Sequence, residues 1–497
     1  MNKVLLVGLS VSFALFLGRV SGFLRDVIVA SSFGISLNAD MIILLLTIPD
    51  IVVNILVGGA IGLVLIPRFK GHNFDDRSAL YIQALLISFF VFLAISFFIS
   101  FFPTTLLSLL SPGIVNVVSE DFLQSLNFVL YSIPLIVMSG VTTAFLNSND
   151  KFFVAALGTL IFNAVVILFI IFYFYFDSYF GVINSVLMYV SMAVIVAASI
   201  RFLLLFYYSR PDSFHLSSVL RTDLVDKELA KQYSFCVLGC VATLSFPILI
   251  RAYISLDGEG YLAISSFAMK LVDLPLGVVL TVFSIVFFPK LSETLEPLRF
   301  SNTFTNVTCI IIAISIVITL ISYNCSTFIV ELVYGRGSFT QEDINTVAMF
   351  FKVFSFSLGL QGLISFIIAA FAAKRDNSTP LWILAINIVI CIVSIYLLEL
   401  SSINALIAMN IGYLSIAISL LVVLNFKHYV KFSIVGKGNL IMLSTAFFTS
   451  VLYNFTFSYQ DFSFVWVSIF TVIYISLNLI PLLQYGVPGL YTRLVRE

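Results

Sequence analysis

The sequence predicts an all-α polytopic membrane protein, and three observations support this fold class. Apolar residues make up 61% of the chain and charged residues only 10%, whereas soluble domains average about 25% charged residues. The apolar runs are long enough to cross the hydrocarbon layer, which takes about 17 to 25 helical residues. Alternate gaps between these runs are basic, which is typical of cytoplasmic loops in membrane proteins.

About fourteen transmembrane helices follow from the lengths of the apolar runs. The predicted spans are 4–31, 37–66, 79–103, 122–147, 152–176, 181–208, 228–254, 261–289, 303–333, 344–373, 380–399, 403–426, 438–457 and 463–487. The polar gaps between the spans are too short to fold into an independent core. No separate soluble domain is therefore expected.

The charges in the gaps predict the orientation of these helices. Eighteen Lys and Arg residues lie in alternate gaps, whereas the intervening gaps contain ten acidic residues and one basic residue, Arg336. Because Lys and Arg accumulate on the cytoplasmic side, we expect a multi-pass membrane protein with both termini in the cytoplasm.

An internal repeat predicts the domain organisation. The hairpin after the fourth helix reads AFLNSNDKF and the hairpin after the tenth reads AFAAKRDNS, which pairs Asp150 with Asp376. An Asn follows in each next helix, at Asn163 and Asn387. Such repetition is typical of transporters. We predict an N-terminal six-helix bundle at 1–210, a C-terminal six-helix bundle at 211–430, and two additional helices at 431–497.

Charged side chains inside the predicted spans indicate where the function lies. Each one costs roughly 2.5 to 3.5 kcal/mol at the bilayer centre on insertion scales, so such residues usually face a watery interior and mark a transport path. The residues predicted to line this cavity and bind the substrate are Arg19, Arg25, Asp26, Asp40, Asp50, Asn54, Arg251, Lys270, Asp273 and Lys352. A purely structural pairing, for example of Lys270 with Asp273, stays open for any single pair.

The two arginines of the first helix predict the chemistry of the substrate. Arg19 and Arg25 are about 9 Å apart along the helix axis, because each residue adds 1.5 Å. A guanidinium group can bind two phosphate oxygens through parallel hydrogen bonds. Five cationic against four anionic side chains leave a slight cationic excess among the predicted cavity residues. We therefore predict an anionic, phosphate-bearing substrate.

Four motifs of the chain occur together in one known family. They are GRVSGFLRD at 18–26, FAMKLVDLPLGVV around Lys270, LVYGRGSFT at 332–340, and AFAAKRDNSTP before the eleventh helix. In these motifs the chain resembles the MurJ (MviN) family, the lipid II flippases of the bacterial inner membrane, within the multidrug/oligosaccharidyl-lipid/polysaccharide exporter superfamily.

The resemblance implies roles for individual residues. It makes Arg19 and Arg25 arginines of the substrate cavity, and Asp40 an essential type of acid. Lys270 is implied as the counterpart of a cavity arginine. The last two helices are implied to flank a hydrophobic groove for a polyprenyl tail.

The chain also departs from the family pattern in the second helix. Val53 and Asn54 stand where the family commonly has two arginines, and Gly58 stands where a glutamate is frequent. Lys270 offers a point charge instead of a planar fork. These departures bear on which headgroup is bound.

The resemblance implies a transporter and not an enzyme. We expect a flippase that moves the undecaprenyl-diphosphate-linked peptidoglycan precursor, lipid II, from the inner to the outer leaflet by alternating access of two halves. A flippase for another polyprenyl-diphosphate-linked oligosaccharide, of the exopolysaccharide or O-antigen type, stays open as the alternative. A drug exporter, a membrane glycosyltransferase and a cell-wall scaffold are less consistent with the arginine-rich spans and short outer gaps.

The expected partners are a polyprenyl-diphosphate-linked saccharide as substrate and membrane lipid, with the cell-wall synthesis machinery as a further candidate. No nucleic acid is expected. Neither a metal nor a cofactor is expected, and a coupling ion or the membrane potential stays open as the source of energy. The five cysteines are expected to be unpaired core residues.

Overall fold

The computed structural model describes residues 3–71, 74–180, 185–209, 227–277, 291, 297–430, 437–458, 464–481 and 484. Its α-helices are α1 Lys3–Phe33, α2 Leu37–Val52, α3 Gly62–Gly71, α4 Phe74–Ser100, α5 Pro103–Leu110, α6 Glu120–Ser148, α7 Phe152–Phe180, α8 Val186–Ser209, α9 Lys227–Ile254, α10 Tyr261–Pro275, α11 Pro297–Asn324, α12 Ser326–Tyr334, α13 Gln341–Ala373, α14 Ser378–Leu397, α15 Ser402–Phe426, α16 Lys437–Ser458 and α17 Phe464–Pro481. A π-helix, Val53–Ile61, joins α2 to α3.

The prediction of an all-α polytopic membrane protein is confirmed. Every predicted span overlaps a helix, and nine stretches of the described chain are long and apolar enough to cross a membrane. These are Leu37–Leu56, Asp76–Ser100, Glu120–Ser148, Phe152–Phe174, Val186–Ser209, Pro297–Asn324, Gln341–Ala373, Ser378–Leu397 and Ser402–Phe426. The two parts of α9, Lys231–Ala242 and Leu244–Asp257, form a tenth span if they are counted together.

Two helices are irregular near a proline. The two parts of α9 meet at an angle of 44°, and the ring of Pro247 clashes with the carbonyl group four residues earlier, which is where the bend lies. In α2, Pro49 precedes the change from α-helix to π-helix at Val53. The span predicted at 37–66 is helical throughout, and its hydrogen-bond pattern changes after Pro49.

The fold consists of two compact units, Met1–Ala263 with Gly337–Phe339, and Ile264–Arg336 with Thr340–Glu497. In the first unit α6 is largely buried and packs against α4 and α8. In the second unit α13 packs against α11 and α15. The division into repeats at residue 210 stays a prediction.

The repeated hairpins have the same turn geometry. Asp150 and Arg375 both adopt a left-handed backbone conformation, with φ of 59° and 61°. The next amide in each turn donates to the carbonyl group five residues earlier, Lys151 to Leu146 and Asp376 to Phe371. The same turn also follows α14 at Glu399 and α15 at His428, so this geometry is that of an ordinary helix C-terminus. The repeat, with its pairing of Asp150 and Asp376, stays a prediction.

The polar gap before α6 folds against the loop after α9. A 3-10 turn, Pro112–Ile114, lies beside the 3-10 turn Ser255–Asp257. The amide of Gly113 donates to Oγ of Ser255 at 3.1 Å. A Cβ atom at Gly113 would lie only 1.7 Å from the carbonyl oxygen of Ser255. Only a glycine therefore allows this approach of the two backbones.

We expect Gly113→Ala to lower the melting temperature of the protein in detergent, because the added methyl group overlaps a backbone carbonyl and overpacking costs about 1 to 3 kcal/mol. Gly239→Ala in α9 is the matched control, since its Cβ would meet nothing within 4 Å. Equal melting temperatures for the two variants would contradict the close approach.

A salt bridge joins the α13–α14 turn to the end of α15. Nζ of Lys427 donates to Oδ2 of Asp376 at 2.7 Å, and Thr379 donates from its amide and its hydroxyl to Oδ1. Partial burial acts to raise the pKa of Asp376, but the hydrogen bonds from Lys427 and Thr379 outweigh it. The pKa of this carboxyl group therefore lies below its ordinary value.

We expect Asp376 to make stability depend on pH in acid. A carboxyl group whose pKa is lowered by folding stabilises the protein fully above its ordinary pKa of about 3.9, and this contribution is lost as the pH falls through the lower pKa of the folded state. Asp376→Asn should lower the melting temperature at pH 7. Between pH 5 and pH 3 the variant should lose less stability than the unmodified protein. Parallel melting curves across this range would refute the assignment.

Candidate functional site

The predicted site is centred on Arg25 in α1, whose side chain is 2% exposed. Its guanidinium group binds Asp50 of α2 in a fork, with Nη2 donating to Oδ2 at 2.8 Å and Nη1 donating to Oδ1 at 3.3 Å. Nε donates to Oδ1 of Asp26 at 3.1 Å. The structure thus brings three of the predicted site residues into one ion cluster, which is embedded in membrane-spanning helices.

A buried amide completes the surroundings of Arg25. Nη1 also donates to Oδ1 of Asn163 in α7 at 3.2 Å. Nδ2 of Asn163 donates to the hydroxyl of Ser21 at 3.1 Å, and Ser21 donates to the carbonyl of Gly18. A Cβ at Gly22 would lie 3.4 Å from Nδ2 of Asn163, so the small residue lets the amide approach. The sequence marked Asn163 only as a feature of the repeat.

Within the described part of the chain, Arg25 forms ion pairs with two carboxylates, those of Asp26 and Asp50. Removing one partner from such a buried pair costs about 3 to 5 kcal/mol, because the other charge is left uncompensated. The side chain of Asp26 is 11% exposed, whereas that of Asp50 is 34% exposed. The open side of the cluster is therefore the side that Asp50 covers.

Asp40 holds the first turn of α10. Its carboxylate is fully buried and accepts hydrogen bonds from the amides of Gly260 at 2.6 Å and Ala263 at 2.7 Å. Amides at a helix N-terminus have no partner within the helix, and a negative charge there is favoured by the helix dipole. Asp40 therefore caps this helix. A direct contact of Asp40 with substrate stays a prediction.

Three other predicted residues belong to the first unit. Nη2 of Arg251 donates to the hydroxyl of Thr47 in α2 at 2.9 Å, which joins α9 to α2. Arg19 in α1 and Asn54 in the π-helix are exposed. In α2, Asp40, Thr47 and Asp50 each contact a different neighbouring element.

Three predicted residues belong to the second unit. Lys352 of α13 lies with Nζ 5.9 Å from the ring centre of Tyr323, within the range of a cation–π interaction. In α10, Lys270 is half-buried and Asp273 is exposed. The prediction that all ten residues line one shared cavity stays a prediction.

Arg201 of α8 is a buried intramembrane cation that the sequence analysis missed. It is 3% exposed, and within the described part of the chain its Nε has no hydrogen-bond partner. A Cβ at Gly158 of α7 would lie 3.3 Å from this Nε, so the glycine makes room for the guanidinium group. The available signal was a single charge within the sixth predicted span.

Apolar cavities lie along the last helices of the second unit. One, of about 280 Å³, is lined by α11, α16 and α17, with Val317, Met442 and Ile475 among its walls. A second, of about 450 Å³, is lined by α11, α13 and α16. None of the described residues that line either cavity is charged. Both suit a hydrocarbon chain better than a polar ligand.

Long apolar helices that enclose a buried arginine cluster define a polytopic membrane transporter, and solved structures have the same fold. A lipid II flippase MurJ in an inward closed conformation superimposes with a TM-score of 0.79 at 18% identity, covering 98% of this chain and 99% of that chain. The family model of lipid II flippase MurJ matches residues 29–483, and the chain therefore belongs to this family.

Relatives of known family agree with this membership, and a further solved structure shares the fold. An inward-facing multidrug resistance transporter of the MATE family gives a TM-score of 0.64 at 14% identity, covering 85% of this chain and 98% of that chain. A probable lipid II flippase MurJ from Buchnera aphidicola is 25% identical over 396 residues, 75% of this chain and 74% of the relative. Its counterpart from Rickettsia prowazekii is 24% identical over 401 residues, 77% and 76%.

We expect Asp40→Asn to destabilise the protein by about 1 to 3 kcal/mol, because the amide presents one acceptor to two backbone amides and leaves a buried donor unpaired. Thermal unfolding in detergent measures this loss. Asp150→Asn, the same change at a strongly exposed turn residue, should leave the melting temperature nearly unchanged. If both variants melt together, Asp40 does not cap α10.

Proposed function

We propose that this protein is a flippase that moves lipid II from the inner to the outer leaflet of the bacterial cytoplasmic membrane by alternating access. Lipid II is a peptidoglycan precursor linked to undecaprenyl diphosphate. Membership of the lipid II flippase MurJ family supports the choice of substrate. Transport of another polyprenyl-diphosphate oligosaccharide gains no support from the relatives, which carry the lipid II name.

The buried guanidinium group of Arg25, which binds two oxygens at once, is the observation that supports a phosphate-bearing substrate. A guanidinium group held rigidly within membrane-spanning helices suits the oxygens of a diphosphate. Its burial costs free energy that a purely structural contact recovers poorly. Arg19 lies on the same helix and supplies a second cation for the same elongated headgroup.

The apolar cavities of the second unit support a lipid-linked substrate. Their walls come from α11, α13, α16 and α17 and carry no charge. A polyprenyl tail is as apolar as these walls and can enter from the bilayer without the cost of desolvating a polar group. We assign the tail to this region and the diphosphate to the arginines.

The proposal includes the orientation and the source of energy. The basic inner gaps support cytoplasmic termini. Moving two negative charges outward gains roughly 4 to 5 kcal/mol per 100 mV of a potential that is negative inside. We therefore propose that the membrane potential, or an ion coupled to it, drives transport without a resident cofactor. Enzymes that make and consume lipid II are the partners that fit this role.

We expect the chain to rescue a bacterium depleted of its lipid II flippase, and Arg25→Ala to abolish the rescue with accumulation of lipid II measured by mass spectrometry. Arg25→Lys should rescue only partly, because a point charge cannot replace the fork. Arg299→Ala, which removes an exposed cation at the start of α11, is the control and should rescue fully.

Equal amounts of each variant in the membrane are required for this comparison. Full rescue by Arg25→Ala would contradict the role of Arg25. Failure of the unmodified chain, together with accumulation of a different lipid-linked saccharide in its own host when it is depleted, would overturn the substrate.

A further inference from the structure

The donor groups of Arg25 that a phosphate would use are already bound by a carboxylate of the same chain. Asp50 binds the two terminal nitrogens of the guanidinium group through both of its oxygens, at 2.8 Å and 3.3 Å. This is the geometry in which an arginine binds two oxygens of a phosphate. Asp50 therefore stands in the position that a substrate phosphate would need.

The remaining donors of Arg25 are also used. Nε donates to Asp26, and the second donor of Nη1 is directed to Asn163. Nη2 lies 3.1 Å from Asp26 as well. With the guanidinium group 2% exposed, an incoming anion finds no vacant edge. A phosphate reaches Arg25 only by replacing one of these partners.

Asp50 is the partner that is placed to leave. Its side chain is 34% exposed, whereas Asp26 is nearly buried and Asn163 is 4% exposed. Asp50 also follows Pro49, directly before the helix changes its hydrogen-bond pattern: the amide of Val53 donates to the carbonyls of both Pro49 and Asp50. Such irregular turns are common at functional sites and adjust more readily than a regular helix.

We propose that the carboxylate of Asp50 competes with substrate phosphate for the guanidinium group of Arg25. The protein binds the diphosphate of its substrate by exchanging this carboxylate for phosphate oxygens. The inference rests on the proposed function and adds a specificity-determining role for Asp50. Asp26 and Asn163 stay in place and position the guanidinium group during the exchange.

The exchange explains why the phosphates of bilayer phospholipids do not bind Arg25 before the substrate does. A lipid with a single phosphodiester charge competes poorly with a carboxylate that is already tethered beside the guanidinium group. A diphosphate carries more negative charge and can bind Arg25 and a second cation together. Asp50 thereby lowers the apparent affinity of every anion for Arg25, and only an anion that binds strongly displaces it.

The test measures binding of undecaprenyl diphosphate to the full-length protein in phosphatidylcholine nanodiscs. We expect Asp50→Asn to lower the Kd by about tenfold, because removing the charge from one hydrogen-bonding partner weakens its hold on Arg25 by about that factor. In an Arg25→Ala background the same change should have no effect, as a double-mutant cycle would reveal.

Asp150→Asn is the matched control, since it removes the same charge from an exposed turn and Asn tolerates the left-handed conformation found there. Its Kd should equal that of the unmodified protein. A Kd that rises or stays constant in Asp50→Asn makes Asp50 a structural partner and overturns the inference alone. A higher affinity of Asp50→Asn for phosphatidylglycerol but not for undecaprenyl diphosphate overturns it too, because Arg25 would then bind a bilayer phospholipid. Absence of binding by every form refutes the proposed function as well.

Discussion

The structure depends on one constraint, which is that a guanidinium group buried among membrane helices must have its charge and its five donors satisfied by the chain itself. Arg25 meets this constraint with two carboxylates and one amide that come from α1, α2 and α7. Three elements of the first unit are therefore fixed relative to one another by a single side chain. Substitution of a buried partner leaves a charge or a donor uncompensated.

The same constraint applies to the second conspicuous carboxylate of this unit. Asp40 is fully buried, and its compensation comes from backbone amides at the start of α10 instead of from a cation. Two acids of one helix, only ten residues apart, thus have different chemical duties. Asp50 lies at the accessible side of an ion cluster and Asp40 serves as an interior cap, a distinction set by what surrounds them and not by residue type.

Sequence reasoning predicted the helices well because hydropathy over about twenty residues is a strong signal in a membrane protein. It predicted the first-unit cluster only in outline: Arg25 and Asp26 are neighbours in sequence, and Asp50 is a charged residue inside the second predicted span. The contact of Arg25 with Asn163 spans 138 residues, and no local pattern encodes such a pairing. The change of helix type at Val53 was missed because it arises from backbone hydrogen bonding. Arg201 was missed because only apolar residues share its helix face.

The π-helix of Val53–Ile61 has a mechanical consequence for the segment that follows it. One residue of an α-helix corresponds to a rotation of about 100° about the axis. A π-turn holds about one residue more than an α-turn, so the loss of one such turn would rotate α3 and its basic end by roughly that angle, while α2 stays anchored through Asp40. The π-helix is therefore a point of rotation, placed shortly after the acid that contacts Arg25.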